Sequence, residues 1–217
     1  MTIVIATRNR SKVAEIRRQL ERAGWRVQTL DEIEGAPQVV EDGATLEENA
    51  RKKARSAAAV AKTWTLAEDS GLEIDALGGE PGIMSARFGG PGASDADRVR
   101  KVLESIVAVP DECRTARFRC VMCVIDTLGN ETVFEGVCPG RISHHPRGSA
   151  GFGYDPIFTP DGYSRTFGEL GLGVKAKVSH RSRALQQVIK YLRDRVPGPL
   201  FDLPAARGVK PQRKCHT

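Results

Sequence analysis

The sequence predicts an α/β protein with a mixed, elongated central sheet flanked by helices, and with two lobes that enclose the functional cleft. Two observations predict this class. Short apolar segments alternate with helical periodicity in the first half of the chain, as in proteins with parallel strands. Two long strand-like segments then follow each other across a short turn, which adds antiparallel pairing to the sheet.

The chain begins with a strand–helix–strand pattern. Residues 2–7 are apolar and β-branched, as expected for a strand. Asn9 or Ser11 can cap the helix that follows, whose apolar positions recur at helical spacing until Gly24. Residues 27–30 form the second predicted strand.

An acidic and then alanine-rich stretch predicts the second helix. Thr45 and Glu48 have the spacing of a capping box, and the helix is expected to run to about Lys62. Two strands are then predicted on either side of a turn that holds an acidic pair and a Ser-Gly dipeptide. These strands are residues 65–68 and 72–74.

Glycine and proline dominate residues 78–92, which predicts a loop of a length that is uncommon unless functional. Ser94 is expected to cap the third helix. The remaining predicted elements are hairpin strands at 114–126 and 132–140, a short strand at 157–159, and a last helix from residue 182 to about residue 193.

Residues 1–196 are predicted to form a single two-lobed domain, and residues 197–217 a loosely ordered C-terminal tail. The final segment contains four prolines and shows no helical period. Five cysteines at irregular spacing do not indicate a disulfide framework. Cys120 and Cys123 are interpreted as core thiols within a buried strand.

The net charge of +6 fits an anionic ligand, but it fits a solvated basic surface equally well. No segment approaches the roughly 18 apolar residues of a transmembrane helix. The N-terminal segment also lacks the pattern of a signal peptide. A cytoplasmic protein with no membrane partner is therefore predicted.

The first candidate site segment is Thr-Arg-Asn-Arg-Ser-Lys at residues 7–12, which follows a strand and opens a helix. Backbone N–H groups at a helix start attract phosphate, and Lys12 and the arginines can neutralise its oxygens. The segment lacks the glycines of a Walker A loop. A basic first turn is, by itself, also compatible with an ordinary surface.

The second candidate is the acidic pair Glu68 and Asp69, placed at a strand end where ligands of α/β proteins bind. Mg²⁺ takes oxygen ligands, and one or two carboxylates are enough when substrate phosphates supply the rest. A turn or capping role is the alternative for such a pair. If the strand continues through both acids, they point to opposite faces, and Asp69 is then the expected metal ligand.

Two further segments lie late in the chain. Phe152 and Tyr154 stand among glycines, where an aromatic face can stack on a nucleobase. Packing in the core beside a turn is the alternative. His180 and Arg181 stand just ahead of the last predicted helix, where their donors can meet a purine carbonyl oxygen.

In this order, these segments resemble the inosine triphosphate pyrophosphatase family, the noncanonical purine nucleoside triphosphate pyrophosphatases. The resemblance covers residues 3–193. The segments that carry it are ENARKKA (48–54), LAEDSGL (66–72), LGGEPGIMSARF (77–88), GFGYDPIF (151–158) and SHR (179–181). It implies hydrolysis of ITP, dITP and XTP to the monophosphate and pyrophosphate, Mg²⁺ as cofactor, and a homodimer.

The resemblance also implies roles for individual residues. Asp69 is expected to be the catalytic proton acceptor, and Glu41 and Asp69 are expected to bind the metal. The expected substrate-binding residues are Thr7, Arg8, Asn9, Arg10, Ser11, Lys12, Lys53, Ser70, Phe152, Gly153, Tyr154, Asp155, Lys175, His180 and Arg181. The chain departs from the family at Arg8, where glycine is common, so backbone approach to phosphate is expected to differ there.

Water is expected to attack the α-phosphorus, with Asp69 taking its proton and with Lys12 and Lys53 neutralising phosphate charge. The 6-amino group of adenine would leave donors on His180 and Arg181 unpaired. Two alternatives stay open. One is a pyrophosphatase for other modified nucleoside triphosphates, and the other is a non-catalytic nucleotide- or RNA-binding module, although no nucleic-acid partner is predicted.

Overall fold

The structure is a computed structural model that describes residues 1–36 and 38–196. In this part of the chain, six strands form one mixed sheet in the order β2-β1-β3-β4-β5-β6. The strands are β1 (Thr2–Ile5), β2 (Arg26–Thr29), β3 (Trp64–Ile74), β4 (Thr115–Ile125), β5 (Glu131–Ile142) and β6 (Phe158–Pro160). β1 pairs in parallel with β2 and β3, and the remaining pairs are antiparallel.

Five helices flank the sheet in the described residues. They are α1 (Arg10–Arg22), α2 (Leu46–Ala61), α3 (Asp95–Ser105), α4 (Phe167–Val178) and α5 (His180–Arg195). The mixed sheet with flanking helices confirms the predicted fold class. None of these helices is long and apolar enough to cross a bilayer, within the residues that the structure describes.

Alternation along the strands divides the core between the two faces of the sheet. Ile3, Ile5 and Leu66 pack against α1 and α5, whereas Val4 and Ala67 pack against α2. A separate cluster joins the far ends of β3 and β4 to α3 and α4. Because successive residues of a strand point to opposite faces, the same alternation decides which helices each polar side chain of β3 can reach.

The predicted turn at the acidic pair is wrong. β3 is a single strand of 11 residues, and Glu68, Asp69, Ser70 and Gly71 all pair with β4. Gly71 is required here by packing, since a Cβ at this position would lie 2.1 Å from the carbonyl oxygen of Gly82. The Ser70-Gly71 dipeptide, a pair common in turns, therefore lies where the strand and the 82–85 segment approach each other closely.

α4 was not predicted, because glycines interrupt its helical pattern. Gly171 lies inside it with φ 74°, a conformation that breaks the helix into two parts. Thr166 nevertheless forms a capping box with Glu169, and this signal is readable in the sequence. The predicted capping box of α2 is half correct: the Thr45 side chain caps the helix, but Glu48 accepts from the Ala44 N–H.

The prediction of a single two-lobed domain over residues 1–196 stays a prediction. The predicted tail at residues 197–217 lies outside the described residues. The core interpretation of Cys120 and Cys123 is confirmed, because both are buried free thiols. Burial raises the pKa of the Cys123 thiol to about 11, so the group is protonated at neutral pH.

Candidate functional site

A cleft of about 590 Å³, including its open mouth, lies where the core clusters of the two halves of the sheet meet. Side chains from α1, β3, α4, α5 and the 151–155 segment line it. The predicted site residues among the lining residues are Asn9, Lys12, Ser70, Phe152, Gly153, Tyr154, Asp155, Lys175, His180 and Arg181. Residues separated by more than 160 positions in the sequence are thus brought to one cleft.

The start of α1 forms one end of the cleft. Asn9 is the N-cap, and its side chain accepts a hydrogen bond from the Lys12 N–H at 3.1 Å. The remaining N–H groups of the first turn have no partner within the helix, so this end favours an anion. Thr7 accepts a hydrogen bond from the Asn9 N–H, whereas Arg10 and Ser11 are exposed and do not line the cleft.

Arg8 points away from the cleft. Its guanidinium donates to Asp31 at 2.9 Å and to the Ala36 carbonyl at 3.3 Å. The residue that replaces the family's usual glycine therefore contacts the segment after β2, and it does not line the cleft.

Glu68 and Asp69 point to opposite faces of the sheet, as expected for a continuous strand. Glu68 faces α1 and α5, where its Oε1 lies 2.6 Å from Lys12 Nζ and its Oε2 lies 3.5 Å from Arg181. Burial raises the pKa of Glu68, but Lys12, Arg181 and Lys53 outweigh it and hold the pKa well below its usual range. The carboxylate is ionised.

Asp69 faces α2 and shares Lys53 with Glu41. Lys53 Nζ lies 3.0 Å from Asp69 Oδ1 and 2.9 Å from Glu41 Oε1, and the Asn49 amide donates to Asp69 Oδ2 at 3.3 Å. Burial raises the pKa of Asp69 more than Lys53 and Lys12 lower it, and the neighbouring Glu68 and Glu41 raise it further. Asp69 is therefore a carboxylate with increased affinity for a proton.

The Glu41–Lys53–Asp69 cluster is also the place where a cation fits. One oxygen of each carboxylate contacts the ammonium group of Lys53, so two oxygen ligands already converge on a positive charge. No group of three or more histidine, cysteine, aspartate or glutamate side chains suited to a metal occurs within residues 1–36 and 38–196. Two carboxylates fit a hard cation that takes its remaining oxygen ligands from water or from a bound anion, and they do not form a closed protein cage.

A chain of ion pairs forms the other end of the cleft. Lys175 Nζ lies 2.6 Å from Asp155 and 2.9 Å from Glu15. Arg181 donates to Glu15 at 2.7 Å and to Ser70 Oγ at 2.9 Å. With Glu68 and Lys12, these residues form a buried ion-pair chain in the order Lys12, Glu68, Arg181, Glu15, Lys175 and Asp155.

His180 is buried beside this chain and is stacked on Phe118, with ring centroids 4.6 Å apart. Burial, Arg181 and Lys175 lower the pKa of His180 well below its usual range, so the imidazole is neutral. Its Nδ1 makes no hydrogen bond to any described residue. A neutral imidazole has one donor and one acceptor nitrogen, so the unused Nδ1 can act as one or the other, depending on the tautomer.

The two aromatic residues of the glycine segment differ in role. Phe152 is partly exposed to the cleft, and Lys175 Nζ lies 4.3 Å from its ring centroid. Tyr154 is buried and donates from its hydroxyl to the Ser85 carbonyl at 2.9 Å. Burial raises the pKa of Tyr154 to about 12. The aromatic face that is available to a base is therefore that of Phe152.

Several lining residues were not predicted. Ser85 and Phe118 line the cleft, Asp95 accepts a hydrogen bond from the Gly153 N–H at 2.7 Å, and Glu15 belongs to the buried ion-pair chain. The sequence could have identified only Glu15, because it lies three residues after Lys12 on the same helix and therefore on the same face. The partners of Asp95 and Phe118 lie far away in the sequence, so local patterns cannot identify them.

Gly71→Ala is expected to lower the free energy of unfolding by about 1–3 kcal/mol, because the added Cβ forces β3 away from Gly82. The displaced segment includes Ser85, whose hydroxyl accepts from the Leu72 N–H at 2.8 Å. Urea denaturation measures the change. Gly173→Ala is the control, since no atom lies within 4 Å of its added Cβ. Equal urea midpoints for the two variants would contradict this packing.

The chain is similar to known proteins both in sequence and in structure. The Ham1 family matches residues 3–191. A dITP/XTP pyrophosphatase of Syntrophobacter fumaroxidans is 48% identical over 200 residues, which cover 89% of this chain and 85% of the relative. One from Symbiobacterium thermophilum is 50% identical over 191 residues, covering 88% of this chain and 94% of that protein.

Solved structures show the same fold. A HAM1 protein from Coxiella burnetii has a TM-score of 0.81 and 40% identity, covering 89% of this chain and 99% of its own. A nucleoside-triphosphatase / dITP/XTP pyrophosphatase from Mycobacterium abscessus has a TM-score of 0.71 and 41% identity, covering 87% and 98%. The resemblance inferred from the sequence is therefore confirmed, and the chain belongs to the Ham1 family.

Proposed function

We propose that this protein hydrolyses dITP, XTP and ITP to the nucleoside monophosphate and pyrophosphate, and so removes these nucleotides from the pool. The names of the relatives support the reaction and the purine substrates. The observation that carries the proposal is a single cleft with an anion-attracting helix start at one end and buried donors at the other. A triphosphate and a purine base require these two ends.

The phosphates would lie at the start of α1, next to Lys12. Lys12 and Lys53 would neutralise charge that develops on the phosphate oxygens during attack at the α-phosphorus. Glu41 and Asp69 would hold Mg²⁺, which supplies Lewis-acid polarisation of the phosphates when bound. Asp69 would accept the proton of the attacking water, a role that its raised pKa favours.

The base would lie against Phe152, with its 6-oxo group facing His180, Arg181 and Lys175. Hypoxanthine and xanthine present an oxygen acceptor to these donors, whereas adenine presents an amino group. An unpaired buried donor costs about 1–3 kcal/mol, which disfavours adenine. Ser70 and Asp155 keep Arg181 and Lys175 in place through the contacts at 2.9 Å and 2.6 Å.

Wild-type enzyme is expected to release equal amounts of pyrophosphate and monophosphate from dITP, XTP and ITP. The kcat/KM for dATP is expected to be at least about tenfold lower, and removal of Mg²⁺ by a chelator is expected to stop turnover. A coupled pyrophosphate assay on a nucleotide panel measures all three. Orthophosphate as first product, or faster turnover of 5-methyl-UTP, would contradict the proposal.

The homodimer and the cytoplasmic location belong to the same proposal and rest on the family resemblance. Light scattering after gel filtration measures the assembly directly. Tight, steeply salt-dependent binding of oligonucleotides together with absent turnover would instead favour a nucleic-acid-binding module.

A further inference from the structure

Glu68 has no role in the chemistry described above, yet it is the most enclosed charge of the region. Its side chain is completely buried and does not line the cleft. Its carboxylate contacts Lys12 at 2.6 Å on α1, Arg181 at 3.5 Å on α5, and the Cys120 thiol at 3.5 Å on β4. Glu68 is thus the member of the buried ion-pair chain that joins its phosphate end to its base end.

One carboxylate shared by two cations couples their positions. A buried ion is stable only while its partners stay close, since an unpaired charge in the interior is very costly. Lys12 and Arg181 come from different helices, and both contact the carboxylate of Glu68. Displacement of either cation therefore changes the electrostatic interaction of the other with Glu68.

We propose that Glu68 is a positioning residue, which fixes Lys12 and Arg181 relative to each other so that base selection depends on the placement of the phosphates. The inference rests on the proposed function. Glu68 acts through these two cations without touching the substrate. When its charge is removed, Lys12 stays free to bind phosphate, whereas Arg181 keeps Glu15 and Ser70 as partners but loses its link to Lys12 through Glu68.

The effect of Glu68→Gln should therefore be selective. The ratio of kcat/KM for dITP to that for dATP is expected to fall about tenfold, because the position of Arg181 no longer depends on that of Lys12. Inhibition by inorganic tripolyphosphate, which has no base, is expected to stay as strong as in the wild type or to become stronger. A merely structural role would instead weaken both substrates and tripolyphosphate together.

Two further variants complete the experiment. Glu68→Asp keeps the charge but is one methylene shorter, so it is expected to fold and to show a smaller fall in the same ratio. Glu73→Gln is the matched control, because Glu73 lies on the same strand and bridges Arg117 and Arg119 away from the cleft. It is expected to keep the wild-type ratio. If Glu68→Gln does not fold, Glu68→Asp decides the test.

An unchanged dITP/dATP ratio in the folded Glu68 variants would overturn the role of Glu68, and so would a parallel loss of tripolyphosphate inhibition. Failure of the proposed function has a different mark. If the proposed function is wrong, the wild-type protein itself releases no pyrophosphate from dITP. The wild type and the variants would then differ only in how they bind tripolyphosphate.

Discussion

Asp69→Asn is expected to reduce kcat for dITP by about 10²–10⁴-fold, the range that a positioned general base contributes. Asparagine has the same shape but cannot accept a proton from water. It also removes one of the two carboxylates that converge on Lys53 and would hold Mg²⁺. Both losses affect the reaction centre, so the rate should fall far more than substrate affinity does.

The fold of this variant should persist. Lys53 keeps its contact with Glu41 at 2.9 Å, and the new amide oxygen can still accept from Asn49. Burial already disfavours the ionised form of Asp69, so its replacement by a neutral group removes an unfavourable buried charge. Thermal unfolding checks this point, with Asp75→Asn, an exposed acid just after β3, as the control. Turnover at the wild-type rate would exclude Asp69 as the base.

The raised pKa of Asp69 predicts the direction in which kcat/KM changes with pH. Because the folded-state pKa of Asp69 is raised, the base form is populated only above that value, and kcat/KM should rise as pH increases through it. The rise should be missing from the residual activity of Asp69→Asn. A titration of initial rates between pH 4 and pH 8, at dITP concentrations well below KM, is the measurement, since kcat/KM reports the free enzyme.

Local side chain–backbone chemistry explains what the sequence could predict. Asn9, Thr45 and Ser94 cap three helices through hydrogen bonds to residues three positions on, and these are readable from the residue types alone. The order of helices and strands followed from hydrophobic periodicity. The clustering of the late basic residues with Lys12 followed only from the family resemblance, since no periodicity connects them.

Long-range contacts explain the errors. Glycine is common in turns, but at position 71 it is required because the Gly82 carbonyl oxygen packs against it. Phe152 and Tyr154 look equivalent in the sequence, yet Tyr154 is held in the core by the Ser85 carbonyl. In each case the deciding partner belongs to the 82–85 segment, which no local pattern connects to either site.

Arg181→Met is expected to have the largest effect on stability, a loss of about 3–5 kcal/mol in the free energy of unfolding. Arg181 is buried and is the shared partner of Glu15 and Glu68. Its removal leaves these carboxylates with only one lysine each, Lys175 and Lys12. Urea denaturation at pH 7 measures the loss. Arg119→Met, which breaks one partly buried and one exposed ion pair, should cost no more than about 1 kcal/mol, since Glu73 keeps Arg117 as a partner.

The pH dependence of this deficit separates lost charge from lost packing. In the wild type, burial raises the pKa of Glu15 and Glu68, but Arg181 and the lysines lower it by more, so the net shift is downward. The stabilisation of the fold by these carboxylates is therefore lost only as the pH falls below the ordinary pKa of a glutamate. Without Arg181, both carboxylates lose one of the charges that lower their pKa, so their pKa values rise relative to the wild type and each carboxylate is stabilised less by its ionisation. The difference between the two proteins should therefore shrink as the pH is lowered from 7 to 3, through the ordinary pKa of a glutamate. A deficit that stays constant over this range would mean that the methylene contacts of Arg181, and not its charge, stabilise the site.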